Sequence, residues 1–144
     1  MVMLYMTFRI PWIAAKFILR GEDGKVDMNQ ATKVFPLKTC QEIAEFPGLI
    51  WKVWGVSEDA RSGSGCYLFE DRSAAEVRAA YAKKYYIRSG LYDVKCRIFE
   101  VMEECSRITR APIDMPANPP MTEEKKEYIL SHHSKTNMKE LLFL

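Results

Sequence analysis

Val2, Leu4, Met6, Phe8 and Ile10 alternate with Met3, Tyr5, Thr7 and Arg9 until Pro11 interrupts the pattern. A period of two predicts a strand with one apolar face. Trp12 to Leu19 fits either a short helix or an extended segment, and Gly21-Glu22-Asp23-Gly24-Lys25 reads as a polar turn. Asp27 followed by Gln30 makes a capping box, which opens a helix running to about Glu45. Pro36 either kinks that helix or delays its start to Leu37, because proline removes a donor and clashes with the preceding turn. Pro47-Gly48 ends it.

LIWKVWGV, from Leu49 to Val56, predicts a second strand with Trp51 and Val53 on one face and Lys52 and Trp54 on the other. Ser62-Gly63-Ser64-Gly65 reads as a loop and CYLFE, Cys66 to Glu70, as the third strand, so the pair makes a hairpin. Ser73 with Glu76 forms a second capping box, for a helix reaching about Arg88, and Gly90 stands where a left-handed cap belongs. Asp93 to Met102 predicts a fourth strand. Ile113 to Pro120 holds three prolines and reads as a linker; Thr122 to Ser131 predicts a short polar helix, and Met138 to Leu144 is apolar again.

The order β-α-β-β-α-β defines an α+β class, a ferredoxin-like sandwich with a four-stranded antiparallel sheet. Helices on one face of such a sheet leave the other uncovered. A second copy covers it economically, so a homodimer with an α/β barrel at its centre is expected. The expected organisation is one domain over 1–113 and a C-terminal extension over 114–144, whose ending Leu141-Leu142-Phe143-Leu144 could add contacts across the two-fold.

Composition narrows this picture. The chain has 144 residues, 48% of them apolar, and a net charge of +2 from 21 basic and 19 acidic side chains. That is one domain's length with an ordinary apolar content, which excludes whole-chain disorder. So small a net charge makes neither nucleic acid nor a membrane the expected partner. Arg9, Pro11, Lys16 and Arg20 interrupt the N-terminal apolar stretch before the ~20 residues a membrane span needs. The first basic residue follows the apolar run, against the pattern of a secretory signal. An acid-free stretch to Gly21 faintly fits a transit peptide, but few hydroxyl residues accompany it. Cys40, Cys66, Cys96 and Cys105 show no C-x-x-C spacing, and they read as reduced, buried thiols of a cytoplasmic protein.

Most catalytic signatures fail. Gly63-Ser64-Gly65 precedes a strand instead of opening a helix, which argues against a phosphate loop. His132 and His133 are the only histidines, and adjacent residues on a helix diverge by about 100°. No other ligand cluster stands near them, so no metal site and no histidine triad is expected. What remains is aromatic content. Trp51, Trp54, Tyr67, Phe69 and Phe99 fall on what read as central strands, and Tyr81, Tyr85 and Tyr86 fall on the second helix. Such rings can enclose a flat apolar ligand, and they also fit plain core packing. Lys52, Arg97 and Glu100 lie inside strand segments, where a charge must be paired, exposed or kept for function.

PGLIWKVW (Pro47 to Trp54), YLFED (Tyr67 to Asp71) and VKCRIFEV (Val94 to Val101) resemble the YdhR-type putative monooxygenase family of the dimeric α/β-barrel group. The resemblance covers roughly Leu37 to Ile113; Trp12 to Val26 reads as longer than the family's first connection. It implies a small homodimeric enzyme of secondary metabolism that oxygenates an aromatic or polyketide-like substrate without metal, flavin or other cofactor. In that reading Lys52 or Arg97 stabilises a phenolate, with Glu100 as a further catalytic candidate. Trp51, Trp54, Tyr67, Phe69, Tyr85 and Phe99 then form the substrate-binding set. One charge-assisted hydrogen bond supplies roughly 1.5–3 kcal/mol, enough to lower a phenol's pKa by one to two units. A cyclase, isomerase or decarboxylase using Glu100, Asp93 or a tyrosine, and a non-catalytic binding protein, are the competing readings.

Overall fold

The computed structural model describes residues 1–34 and 37–132. Its sheet comprises β1 (Val2–Arg9), β2 (Leu49–Val56), β3 (Ser62–Phe69) and β4 (Tyr92–Glu100), in the order β2-β3-β1-β4 with every neighbour antiparallel. This is the ferredoxin-like arrangement expected from the element order. β1 and β3 are the central strands. β2 and β4 are edges, which corrects the reading of Trp51, Trp54 and Phe99 as central.

The alternation along β1 decides the faces. Val2, Leu4, Met6 and Phe8 are buried, whereas Tyr5 on the opposite face is exposed. Register carries this division across the sheet. Leu4 pairs with Tyr67 and Ile98, Met6 pairs with Gly65 and Cys96, and Lys52 and Trp54 stand opposite Tyr67 and Gly65. These residues face the helices. Trp51, Val53, Leu68, Arg97 and Phe99 share the other face with Tyr5.

The N-terminal connection begins as α1 (Trp12–Ala14) and continues through a π-helical turn over Ala15–Leu19. Ala14, Ala15 and Leu19 are buried there, while Trp12 and Phe17 stay exposed with the Lys16 ammonium over both rings. The turn that follows closes with a Gly24 N–H to Gly21 carbonyl bond. The helix expected from Asp27 to Glu45 is two helices, α2 (Met28–Val34) and α3 (Leu37–Ala44). Asp27 does cap the first, its Oδ1 accepting from Asn29 N–H; Pro36 lies outside the described residues. Gly48, with φ of 74°, turns the chain into β2.

Ser62 to Gly65 is strand, not loop. The turn lies earlier, at Ser57–Arg61, where Ser57 N–H donates to the Ser62 carbonyl and Ala60 takes a left-handed φ of 61°. The glycines are there for room: a Cβ at Gly63 would collide with the Phe8 ring, and one at Gly65 would lie 2.9 Å from Tyr67 and 3.1 Å from Lys52 Cε. The next helix, α4 (Arg72–Arg88), is capped by Asp71, whose Oδ1 accepts from Ala74 N–H at 3.0 Å. The cap therefore stands two residues before Ser73, the position expected from the capping-box spacing. Gly90 takes the expected positive φ, 102°.

After β4 comes a short helix that the periodicity did not reveal, α5 (Glu103–Ile108), tied to the next turn by Arg107 with Glu103 and Asp114. The proline-rich stretch is anchored chain. Ile113 is buried, and Asn118 donates through Nδ2 to the Ala44 and Phe46 carbonyls and through its backbone N–H to Leu49. Finally α6 (Glu123–Ser131), the short polar helix expected from Thr122 to Ser131, has Thr122 as its cap and packs on α4, where Tyr85 Oη donates to the Leu130 carbonyl. His133 and the apolar ending from Met138 to Leu144 lie outside the described residues.

Candidate functional site

Beneath the helices, β2 and β3 present Lys52, Trp54 and Tyr67 side by side. Lys52 stands directly across from Tyr67, and Trp54 across from Gly65, whose missing Cβ makes room for the Tyr67 ring and the Lys52 stem. The Lys52 ammonium lies over the Trp54 ring, 3.2 Å from its centre, and 4.5 Å from the centre of the Tyr67 ring. Each such contact contributes about 0.5–2 kcal/mol, more as water is excluded. Tyr67 is fully buried and stacks on Phe69 at 5.8 Å, with Phe46 edge-on to Phe69 beyond.

The second cation comes from α4. Arg78 is 4% exposed, and its guanidinium donates from Nε to Tyr67 Oη at 3.1 Å and from Nη2 to Tyr86 Oη at 2.7 Å. Its Cζ also lies 5.5 Å from the Tyr67 ring centre and 5.0 Å from that of Tyr81. No ion pair of the described residues involves Lys52 or Arg78. Burial, then the neighbouring Arg78 charge, push the Lys52 ammonium well below the ordinary lysine range, and Cys40 on α3 opposes this. Burial raises the Tyr67 phenol despite Arg78, so Tyr67 is a neutral hydrogen-bond partner; Arg78 keeps its proton, its phenolic neighbours outweighing the burial that opposes its charge.

The expected site residues separate into three places. Lys52, Trp54, Tyr67 and Phe69 gather under the helices, and Tyr85 is buried on α4 facing α6. Trp51, Arg97 and Phe99 lie on the opposite face, where Trp51 Nε1 donates to the Pro112 carbonyl at 3.1 Å and Arg97 stacks 5.3 Å from the Phe99 ring. Glu100, at the end of an edge strand, pairs with Arg72 at 2.9 Å in an exposed salt bridge. Lys52, Arg97 and Glu100 are thus not brought together.

Arg78 and Tyr86 escaped the sequence reading as members of one site. An arginine in RSAAEVRAAYAKKYYIR reads as the solvated side of a helix. The usable signal was its spacing: Ala74, Arg78, Ala82 and Tyr85 fall on one stripe, and the other three are buried.

All four cysteines are free; Cys40, Cys66 and Cys96 are partly buried, while Cys105 is exposed, against the expectation of buried thiols. Burial pushes the Cys66 and Cys96 thiols up. Among the described residues no group of three or more His, Cys, Asp or Glu is placed to hold a metal ion, and no helix is long and apolar enough to cross a membrane.

A four-stranded ferredoxin-like sheet, with an aromatic and cationic patch between its inner face and its helices, defines a small α+β domain. The chain belongs to the family described as "Putative mono-oxygenase ydhR", which matches residues 17–112, and so stands among monooxygenase-like proteins. The match begins twenty residues before the resemblance read from the strand motifs and takes in most of the N-terminal connection; β1, outside it, is nevertheless a central strand. No curated protein matches the chain. Among solved structures, a protein from Deinococcus radiodurans described as a putative antibiotic biosynthesis monooxygenase is similar at 11% identity and a TM-score of 0.48, over 70% of this chain and 92% of that one.

Proposed function

We propose that the protein is a homodimeric, cofactor-independent monooxygenase acting on an aromatic or polyketide-like phenol. The observation that carries this reading is the Lys52 ammonium held over Trp54 and Tyr67 beneath the helices, with no carboxylate of the described residues paired to it. A phenol stacked on Trp54 meets a positive charge at its oxygen. Its phenolate gives an electron to dioxygen, and the radical pair collapses to a ring hydroperoxide that loses water to leave a quinone. One O2 is consumed and one water released, so no external reductant is needed. Exposed Tyr5, Val53 and Phe99 on the opposite face support a second copy as its cover.

An oxygen electrode with 1-naphthol as probe tests the chemistry. Uptake of one O2 per naphthoquinone formed, abolished in Lys52→Met, is the expected result. Naphthol turned over without oxygen uptake favours the cyclase, isomerase or decarboxylase reading, and binding without turnover favours a binding protein. Sedimentation should give a dimer, shifted toward monomer by Val53→Asp; a monomer at every concentration would refute the barrel.

A further inference from the structure

Two cations under the same helices, sharing one aromatic ring, ask for something the described residues do not supply. Among the described residues, the charge of Arg78 is met by phenol oxygens, Tyr67 Oη and Tyr86 Oη, and by ring faces. Among the described residues, that of Lys52 meets the Trp54 and Tyr67 faces and the nearby Cys40, with no hydrogen bond or ion pair. Neutral phenols and π-faces relieve a buried charge only in part, and a second like charge nearby adds to the cost. An arginine as buried as Arg78 normally pairs with a carboxylate, and Lys52 beside it is half-buried. Here Glu100 pairs with Arg72 at the sheet's end, and Lys25, Lys95 and Arg107 take the other ion pairs, all of them exposed.

We propose that Lys52 and Arg78 form an anion subsite, so that the ligand is an aromatic acid: a ring stacked on Trp54 that bears a carboxylate or equivalent acidic group directed at the two cations. This rests on the location of the site given above and names its ligand class; it does not require the oxygenation chemistry. The planar guanidinium is pre-aimed, because Tyr67 and Tyr86 fix two of its nitrogens and leave Nη1 without a protein partner among the described hydrogen bonds. The Lys52 stem runs past Gly65, where any larger residue would displace it. The depressed basicity of Lys52 fits the same arrangement, since an incoming anion offsets both burial and the Arg78 charge.

The test is calorimetric titration at neutral pH with 1-hydroxy-2-naphthoate and with 1-naphthol, which share a ring system and differ by the carboxylate. A charge-assisted contact to a desolvated anion predicts that the acid binds about tenfold tighter or more. Lys52→Met should remove most of that preference, read as the ratio of the two affinities, and Arg78→Lys, which keeps the charge but loses the fork, should reduce it partially. Arg78→Met should remove it too, but loss of the Tyr67 and Tyr86 bonds threatens its fold, so Lys52→Met and Arg78→Lys carry the decision. Equal affinity for the two probes, or a preference surviving intact in Lys52→Met, overturns the proposal. Oxygen is not read in this titration: acid preference without oxygen uptake keeps the subsite and sinks the oxygenase, and naphthol oxidation without acid preference does the reverse.

Discussion

Replacing Lys52 by Met should change how stability depends on pH, in a direction the structure dictates. The substitution keeps an unbranched apolar stem against Trp54 and Tyr67 and removes the ammonium. In the unfolded chain a lysine titrates near 10.4, whereas burial and the Arg78 charge hold the folded Lys52 well below its ordinary value. Between those two values the unfolded state binds more protons than the folded state. Stability of the native chain therefore rises with pH through that window, by up to about 1.4 kcal/mol per pH unit, relative to the variant. Above the unfolded value the contribution is complete; as pH falls through the folded value it is lost, and below that the two proteins run parallel. The Trp54 and Tyr67 faces favour the ammonium and so oppose the shift. Cys40 acts electrostatically on Lys52, so both proteins are best compared in a Cys40→Ser background. Urea unfolding from about pH 6 to about pH 10 gives the difference curve directly. A flat curve, or one falling with pH, would show that Lys52 keeps an ordinary basicity in the fold and would remove the argument from its burial.

Five other substitutions probe the architecture and the faces. Gly63→Ala should cost about 1–3 kcal/mol in urea unfolding, because its Cβ meets the Phe8 ring on a central strand pair; a loss within experimental error would show that the ring moves freely. Asp71→Ala removes the side-chain cap of α4 and should cost about 1 kcal/mol, with Ser73→Ala nearly silent, and the opposite ranking in thermal melts would return the cap to Ser73. Trp54→Ala should weaken 1-naphthol binding in titration with the assembly state unchanged. Trp51→Ala, which cuts the bond to the Pro112 carbonyl on the other face, should instead lower stability or assembly by sedimentation; two variants alike in every respect would mean that neither face holds a ligand.

The comparison with the sequence turns on which interactions are local. The apolar stripe Val2, Leu4, Met6 and Phe8 was legible because strand geometry forces alternate residues to one side whatever lies nearby. The same rule put Lys52 with Trp54 and separated both from Trp51. Gly90 was legible too, since its position after a helix requires a left-handed backbone. Local pattern could not say which face the helices cover, nor that β2 and β4 are edges, because strand order is set by pairing between distant segments. It misread Ser62 to Gly65 as a loop, for the glycines answer to the rings of Phe8 and Tyr67 and not to a turn. It placed Arg97 and Glu100 beside Lys52 as candidates on residue type alone; the register sends one to the open face and the other to Arg72. Arg78 shows the limit most clearly. Its charge says solvent, and only the packing of α4 over β3 turns it inward, where two tyrosine hydroxyls, far from adjacent in the chain, receive it. The sequence by itself determined the succession of four strands and the alternation that gives them two faces, consequences of short-range geometry; the tertiary structure alone decided where β3 begins and which charges meet, because pairing and burial belong to the assembled layers.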